Sequence, residues 1–203
     1  MSKKADDNIW GSKTINTFMY LKKASQLLLK EAKENPEGSA YKYMTSMLTS
    51  AFFLEAYLNH LGQKIIDQDQ WDKWERKSSF QKLKSLIDKI NYLRDETSRP
   101  FKTFEEIFEF RNLLVHGKTA KYTVNGVQKV DVEEPISKQI NEAEWKSQKP
   151  NWKAMIEQET AEKFFEDATK MIEILHAQAG LTEADFHNLE WSEIRGALQT
   201  RDG

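Results

Sequence analysis

Apolar residues recur at helical spacing along most of this chain, and the polar stretches between them are short. Ile15, Phe18, Met19, Leu21, Ala24, Leu27, Leu28 and Ala32 predict a first helix over about Thr14 to Lys33, closed by Asn35-Pro36-Glu37-Gly38. Tyr41, Met44, Leu48, Ala51, Phe52, Glu55, Leu58 and Leu61 predict a second from Ser39 to about Leu61, with Gly62 ending it. Residues 65–76 form a shorter irregular or helical stretch in which Trp71 and Trp74 are core or interface anchors rather than a base-stacking platform. Phe80, Leu83, Leu86, Ile87 and Ile90 give a helix over about Ser79 to Tyr92, with Lys82, Lys84 and Lys89 turned to solvent. Residues 95–102 form a loop whose Arg99 either touches phosphate or, as the favoured reading, has no specific task.

A further amphipathic helix carries Phe104, Ile107, Phe108, Arg111, Leu114 and Val115 on one face. Thr103 and Glu106 have the spacing of a capping box after Pro100, and Gly117 supplies a stop. Beyond it, Asn125-Gly126 between the alternating runs Tyr122-Thr123-Val124 and Val127-Gln128-Lys129-Val130 predicts a β-hairpin at about 120–132. A long helix from about Trp152 to Gln178 presents Met155, Ile156, Phe164, Phe165, Ala168, Met171, Ile172 and Leu175, with His176 near its end complementing the helix dipole at the surface. Residues 181–203 read as an appended helical tail, carrying Phe186, Leu189, Trp191, Ile194 and Leu198, that packs on its own domain or on a partner. The fold class is therefore all-α: a bundle of four to five main helices with one small hairpin, residues 1–180 forming the domain.

Composition sharpens this picture only in part. A chain of 203 residues, 39% hydrophobic and 31% charged, is long enough for one domain with a sizeable core. No apolar run reaches the roughly 20 residues that cross a bilayer, and Met1 to Asp7 lacks the apolar core of a signal peptide, so no membrane partner and a cytoplasmic location are expected. The absence of cysteine excludes disulfides, thiolate catalysis and Cys-built zinc sites. A net charge of -2 argues against a strong nonspecific nucleic-acid binder and leaves room for a transient RNA substrate. Asp67, Asp69 and Asp72 cluster without further ligands, so no metal site and no cofactor are expected.

The candidate chemistry lies at the end of the fourth apolar helix. Arginine offers a planar fork of donors suited to phosphate oxygens and histidine can take or give a proton, and Arg111 and His116 bring the two types to one helix end. Together they are suited to activating a ribose 2′-hydroxyl and stabilising charge on phosphorus. At about 100° per residue, Asn112 and His116 lie about 40° apart around the helix, but Arg111 and His116 diverge by about 140°. A site built on both needs His116 released at the helix end by Gly117, or a second chain across a shared cleft. The structural alternative is an Arg that lies along the helix flank and a helix-terminal His that complements the dipole. Glu55, on the stripe of the second helix, is either a buried partner for Arg111 or an exposed carboxylate at the stripe edge.

Arg111-Asn112-Leu113-Leu114-Val115-His116 resembles the Arg-(polar)-x-x-x-His signature of HEPN domains. Ser50 to Asn59, small and aromatic with Glu55 inside it, resembles the second helix of bacterial members, and His116-Gly117-Lys118 resembles a frequent ending of their motif. The resemblance spans about residues 12–178. It implies a HEPN-like bundle and a metal-independent endoribonuclease working as a homodimer, of the kind found among toxins and antiphage effectors, with an antitoxin or defence-system partner. It further implies catalytic Arg111 and His116, with Asn112 orienting His116 or the substrate, Glu55 in support and products ending in 2′,3′-cyclic phosphate. The hairpin either walls the cleft or faces solvent, and Lys118, Lys121 or Lys129 is a candidate to meet the RNA backbone. Other members of this family have lost catalysis, so the alternative is a noncatalytic nucleotide- or protein-binding module.

Overall fold

A computed structural model of the chain describes residues 15–117 and 151–182. Among these residues it is helical and contains no strand. The order is α1 (Thr17–Glu34), α2 (Ser39–Ile65), a 3-10 turn (Gln68–Gln70) running into α3 (Trp71–Trp74), α4 (Ser79–Lys89), α5 (Phe101–Val115), α6 (Asn151–Ala154) and α7 (Gln158–Gln178). The all-α expectation therefore holds. The hairpin expected at 120–132, Lys118, Lys121 and the tail beyond Thr182 lie outside the described residues.

The longest helix, α2, is the axis of the bundle, packing against α1, α4, α5 and α7. A helix with neighbours on several sides needs more than one apolar stripe. Met47, Ala51, Phe53, Leu54, Tyr57, Leu58 and Leu61 are buried, whereas Tyr41 and Phe52, which the single-stripe pattern placed inside, are exposed. Between α1 and α2 the chain turns at Asn35 to Gly38, where Gly38 adopts the left-handed φ of +69° that a side chain disfavours. The two helices then close on three buried serines. Ser25 Oγ lies 3.0 Å from the Ser46 carbonyl oxygen and 2.9 Å from both the Ser46 and Ser50 hydroxyls, and Ser46 Oγ donates to the Ser25 carbonyl at 3.1 Å. Small side chains bring the backbones near enough for these bonds.

Gly62 does not end α2, which continues to Ile65. Its missing side chain makes room for Trp74: a Cβ built at Gly62 would lie 2.3 Å from two atoms of the indole ring. Trp74 is buried, stacks on Trp71 at 5.4 Å, and its Nε1 donates to Ser85 Oγ at 3.1 Å. This confirms the pair as anchors and removes Trp74 from any exposed aromatic surface. In α4, Ser78 and Gln81 form a reciprocal capping box, and Asn91 at φ 57° ends the helical path before the expected Tyr92.

The capping box expected at Thr103 and Glu106 is not formed. Pro100 already caps α5, which places Thr103 inside the first turn, where its hydroxyl donates to Asp167 on α7. Glu106 instead pairs with Lys163. Arg99, expected to be idle, also binds Asp167, its Nε lying 2.7 Å from Oδ2. The long terminal helix is split: Glu157 is extended at φ -135° and ψ 155°, separating α6 from α7 while Trp152, Met155 and Ile156 stay against the core. His176 is buried rather than superficial. Its Nε2 donates to the Thr182 carbonyl at 2.9 Å, and its Nδ1 faces the Tyr57 hydroxyl at 3.1 Å.

Candidate functional site

The C-terminal half of α5 is seated by Phe104, Ile107, Phe108 and Phe110, all buried, which fixes the direction in which Arg111 leaves the helix. Its guanidinium carbon lies 6.0 Å from the centre of the Phe108 ring, an aromatic floor that attracts a cation. One terminal nitrogen donates to Glu55 Oε2 at 2.8 Å and the other to Asn112 Oδ1 at 2.8 Å. The two side chains of the ion pair are each 26% exposed. Arg111 Nε is buried and makes no hydrogen bond. Arg111 is thus held by a carboxylate, an amide and a ring, with one N–H on each terminal nitrogen still directed elsewhere. A phosphate oxygen is a suitable acceptor for both.

Glu55 is therefore the partner of Arg111 that its place on α2 suggested. Its charge also acts on a second cation. Lys82, on α4, is only 4% exposed, and burial lowers its ammonium pKa while Glu55 and Glu75 act to raise it. Its Nζ stands 5.8 Å from the Trp74 ring centre. The expectation that Lys82 turns to solvent is wrong because the residue follows the burial repeat of α4, at the spacing of Ser79, Leu83, Leu86 and Ile87. That repeat is the available sequence signal, which the charge of a lysine masks.

His116 forms the C-cap of α5 at φ -101° and ψ 17°, its N–H bonded to the Asn112 carbonyl at 3.0 Å, and its side chain is exposed. Exposure at a helix end leaves the imidazole open to an incoming substrate. Asn112 supports Arg111, with its side-chain oxygen on the guanidinium rather than on His116. The structure thus joins Arg111, Asn112 and Glu55 in one bonded cluster and puts His116 one turn beyond Asn112 at the same helix end.

An exposed aromatic side chain packs against the Phe108 ring that underlies Arg111. Phe80 of α4 is 43% exposed and meets Phe104 at 5.1 Å and Phe108 at 6.0 Å, both in edge-to-face geometry. Its place in the apolar repeat of α4 made it look like core. Asp67, from the acidic cluster, pairs with Lys89 at 3.1 Å, and among the described residues no group of His, Cys, Asp and Glu is placed to hold a metal ion. Among them, too, no helix is long and apolar enough to cross a membrane. Comparison with protein-family models, with curated proteins and with solved structures returns no match.

Proposed function

We propose that this chain is a HEPN-type, metal-independent endoribonuclease. The observation that carries the reading is the preorganised Arg111, fixed by Glu55 and Asn112 over Phe108, on the same helix end as an exposed His116. In this mechanism Arg111 holds the scissile phosphate and stabilises the charge that builds on it. His116 takes the proton of the ribose 2′-hydroxyl or gives one to the leaving 5′-oxygen. Attack by the 2′-oxygen on phosphorus then breaks the bond to the 5′-oxygen, leaving a 2′,3′-cyclic phosphate and a 5′-hydroxyl. Glu55 and Asn112 act by orienting Arg111.

Because an ideal helix directs Arg111 and His116 about 140° apart, we place the working site in a homodimer, where two copies of α5 contribute to one cleft. A role as a toxin or antiphage effector, restrained by an antitoxin or another defence component, follows from the same resemblance. The second reading is a noncatalytic nucleotide- or protein-binding module. It is favoured by the Arg111–Glu55 ion pair, since a guanidinium already neutralised is also what a structural role requires.

The test incubates purified protein with mixed RNA in excess chelator and maps the new ends. Cyclic phosphate ends are expected with the wild type, and losses of at least a hundredfold with Arg111→Ala and His116→Ala. Cleavage at the wild-type rate by both variants would reject the site. Mixing the two inactive variants should restore partial activity if the site is shared, and a fully active monomer in sedimentation would reject the dimer.

A further inference from the structure

We infer that Phe80 is a nucleobase platform, so that the site selects unpaired RNA by stacking one base beside the phosphate held on Arg111; this rests on the ribonuclease reading above. An exposed phenylalanine alone is ordinary on a protein surface. What distinguishes Phe80 is its connection to the cation. Its ring meets Phe108 at 6.0 Å, and the Phe108 ring lies 6.0 Å from the guanidinium carbon of Arg111. No more than two such steps separate the exposed ring from the phosphate-holding group, a span that one or two nucleotides of an extended strand cover.

The platform is also rigid. Edge-to-face contacts with Phe104 at 5.1 Å and with Phe108 fix Phe80 from below, while 43% of the residue remains open. A ring ordered before binding loses little freedom when a base stacks on it. Every base has a π-face, so such a contact tolerates many sequences, but a base inside a duplex already has both faces covered. Phe80 therefore sets a preference for single strands without imposing one on sequence.

Binding of a fluorescein-labelled single-stranded oligoribonucleotide to the full chain decides this, measured by anisotropy in the His116→Ala background so that the RNA stays intact. An abasic nucleotide moved along the strand should weaken binding about tenfold at one position, within the range known for base–aromatic stacking. Phe80→Leu, which keeps apolar volume against Phe104 and Phe108, should weaken binding of intact RNA about tenfold and of that abasic RNA not at all. Phe80→Trp should retain affinity. The exposed Tyr41 lies about 20 Å from Glu55 along α2 at 1.5 Å per residue, so Tyr41→Leu is the control and should bind normally. An abasic scan without a position effect, a Phe80→Leu loss that persists on every abasic RNA, or equal binding of duplex and single strand would overturn the platform. Chelator-resistant cleavage with wild-type behaviour of Phe80→Leu would overturn the platform alone, whereas failure of the unsubstituted chain to bind or cleave RNA would overturn it together with the ribonuclease reading.

Discussion

Lys82 places an ammonium group where water scarcely reaches it, and that arrangement gives the folded state a definite pH dependence. Its pKa is lowered in the fold by burial, against the upward pull of Glu55 and Glu75, so between the folded value and the ordinary 10.5 the unfolded chain binds more protons. This residue's contribution to stability therefore rises with pH across that window. Lys82→Met keeps the unbranched stem and removes the charge. The variant should be more stable than the wild type at pH 7, with the advantage shrinking as the pH approaches 10.5, and urea midpoints of both proteins at pH 7 and pH 10 measure it. A difference independent of pH would refute the assignment. The pairing of Glu55 with Arg111 was legible from sequence because a carboxylate on an apolar stripe needs a cation and α5 had one to offer. Lys82 stands in the burial repeat of α4, so its burial was legible there, whereas His176 was not legible, since it owes its burial to a partner brought by another helix. For His176 that partner is Tyr57, 119 residues away.

Helix boundaries follow the same logic at a larger scale. Periodicity located α1, α2, α4, α5 and α7, because each covers a core with a repeating apolar face. It misplaced the ends wherever a residue with a known local habit was used for a tertiary purpose. Gly62 has the position of a stop and is a seat for Trp74; Thr103 has the spacing of a cap and is a bridge to Asp167. An alanine within a helix is normally favoured over glycine by up to about 1 kcal/mol. At Gly62 the sign should reverse, because the added Cβ would meet the indole at 2.3 Å and the ring, held by Ser85 and Trp71, must shift. Gly62→Ala should destabilise by about 1–3 kcal/mol, the usual range for overpacking. Circular-dichroism melting checks this, and a higher melting temperature would show that Trp74 is not confined there.

At the scale of the described residues, the helical architecture was legible because no alternating apolar pattern competes with the helical one between residues 15 and 117. The cluster at Arg111 was legible as a set of residues but not as a geometry, since sequence gives directions around one helix and not the neighbours that capture a side chain. The three-serine contact between α1 and α2 also bears on the order in which the chain assembles. It joins residues only 21 to 25 apart, whereas the contacts of α2 with α7 through Tyr43–Gln158 and Tyr57–His176 span 115 and 119 residues. Closing the shorter loop forfeits less chain entropy, so the α1–α2 hairpin is expected in the folding nucleus and the docking of α7 after the rate-limiting barrier. In stopped-flow chevrons, Ser25→Ala should then slow refolding, while Tyr57→Phe should leave refolding unchanged and speed unfolding. The reverse pattern would move the nucleus to α7, and the serines would then lock a hairpin that forms late.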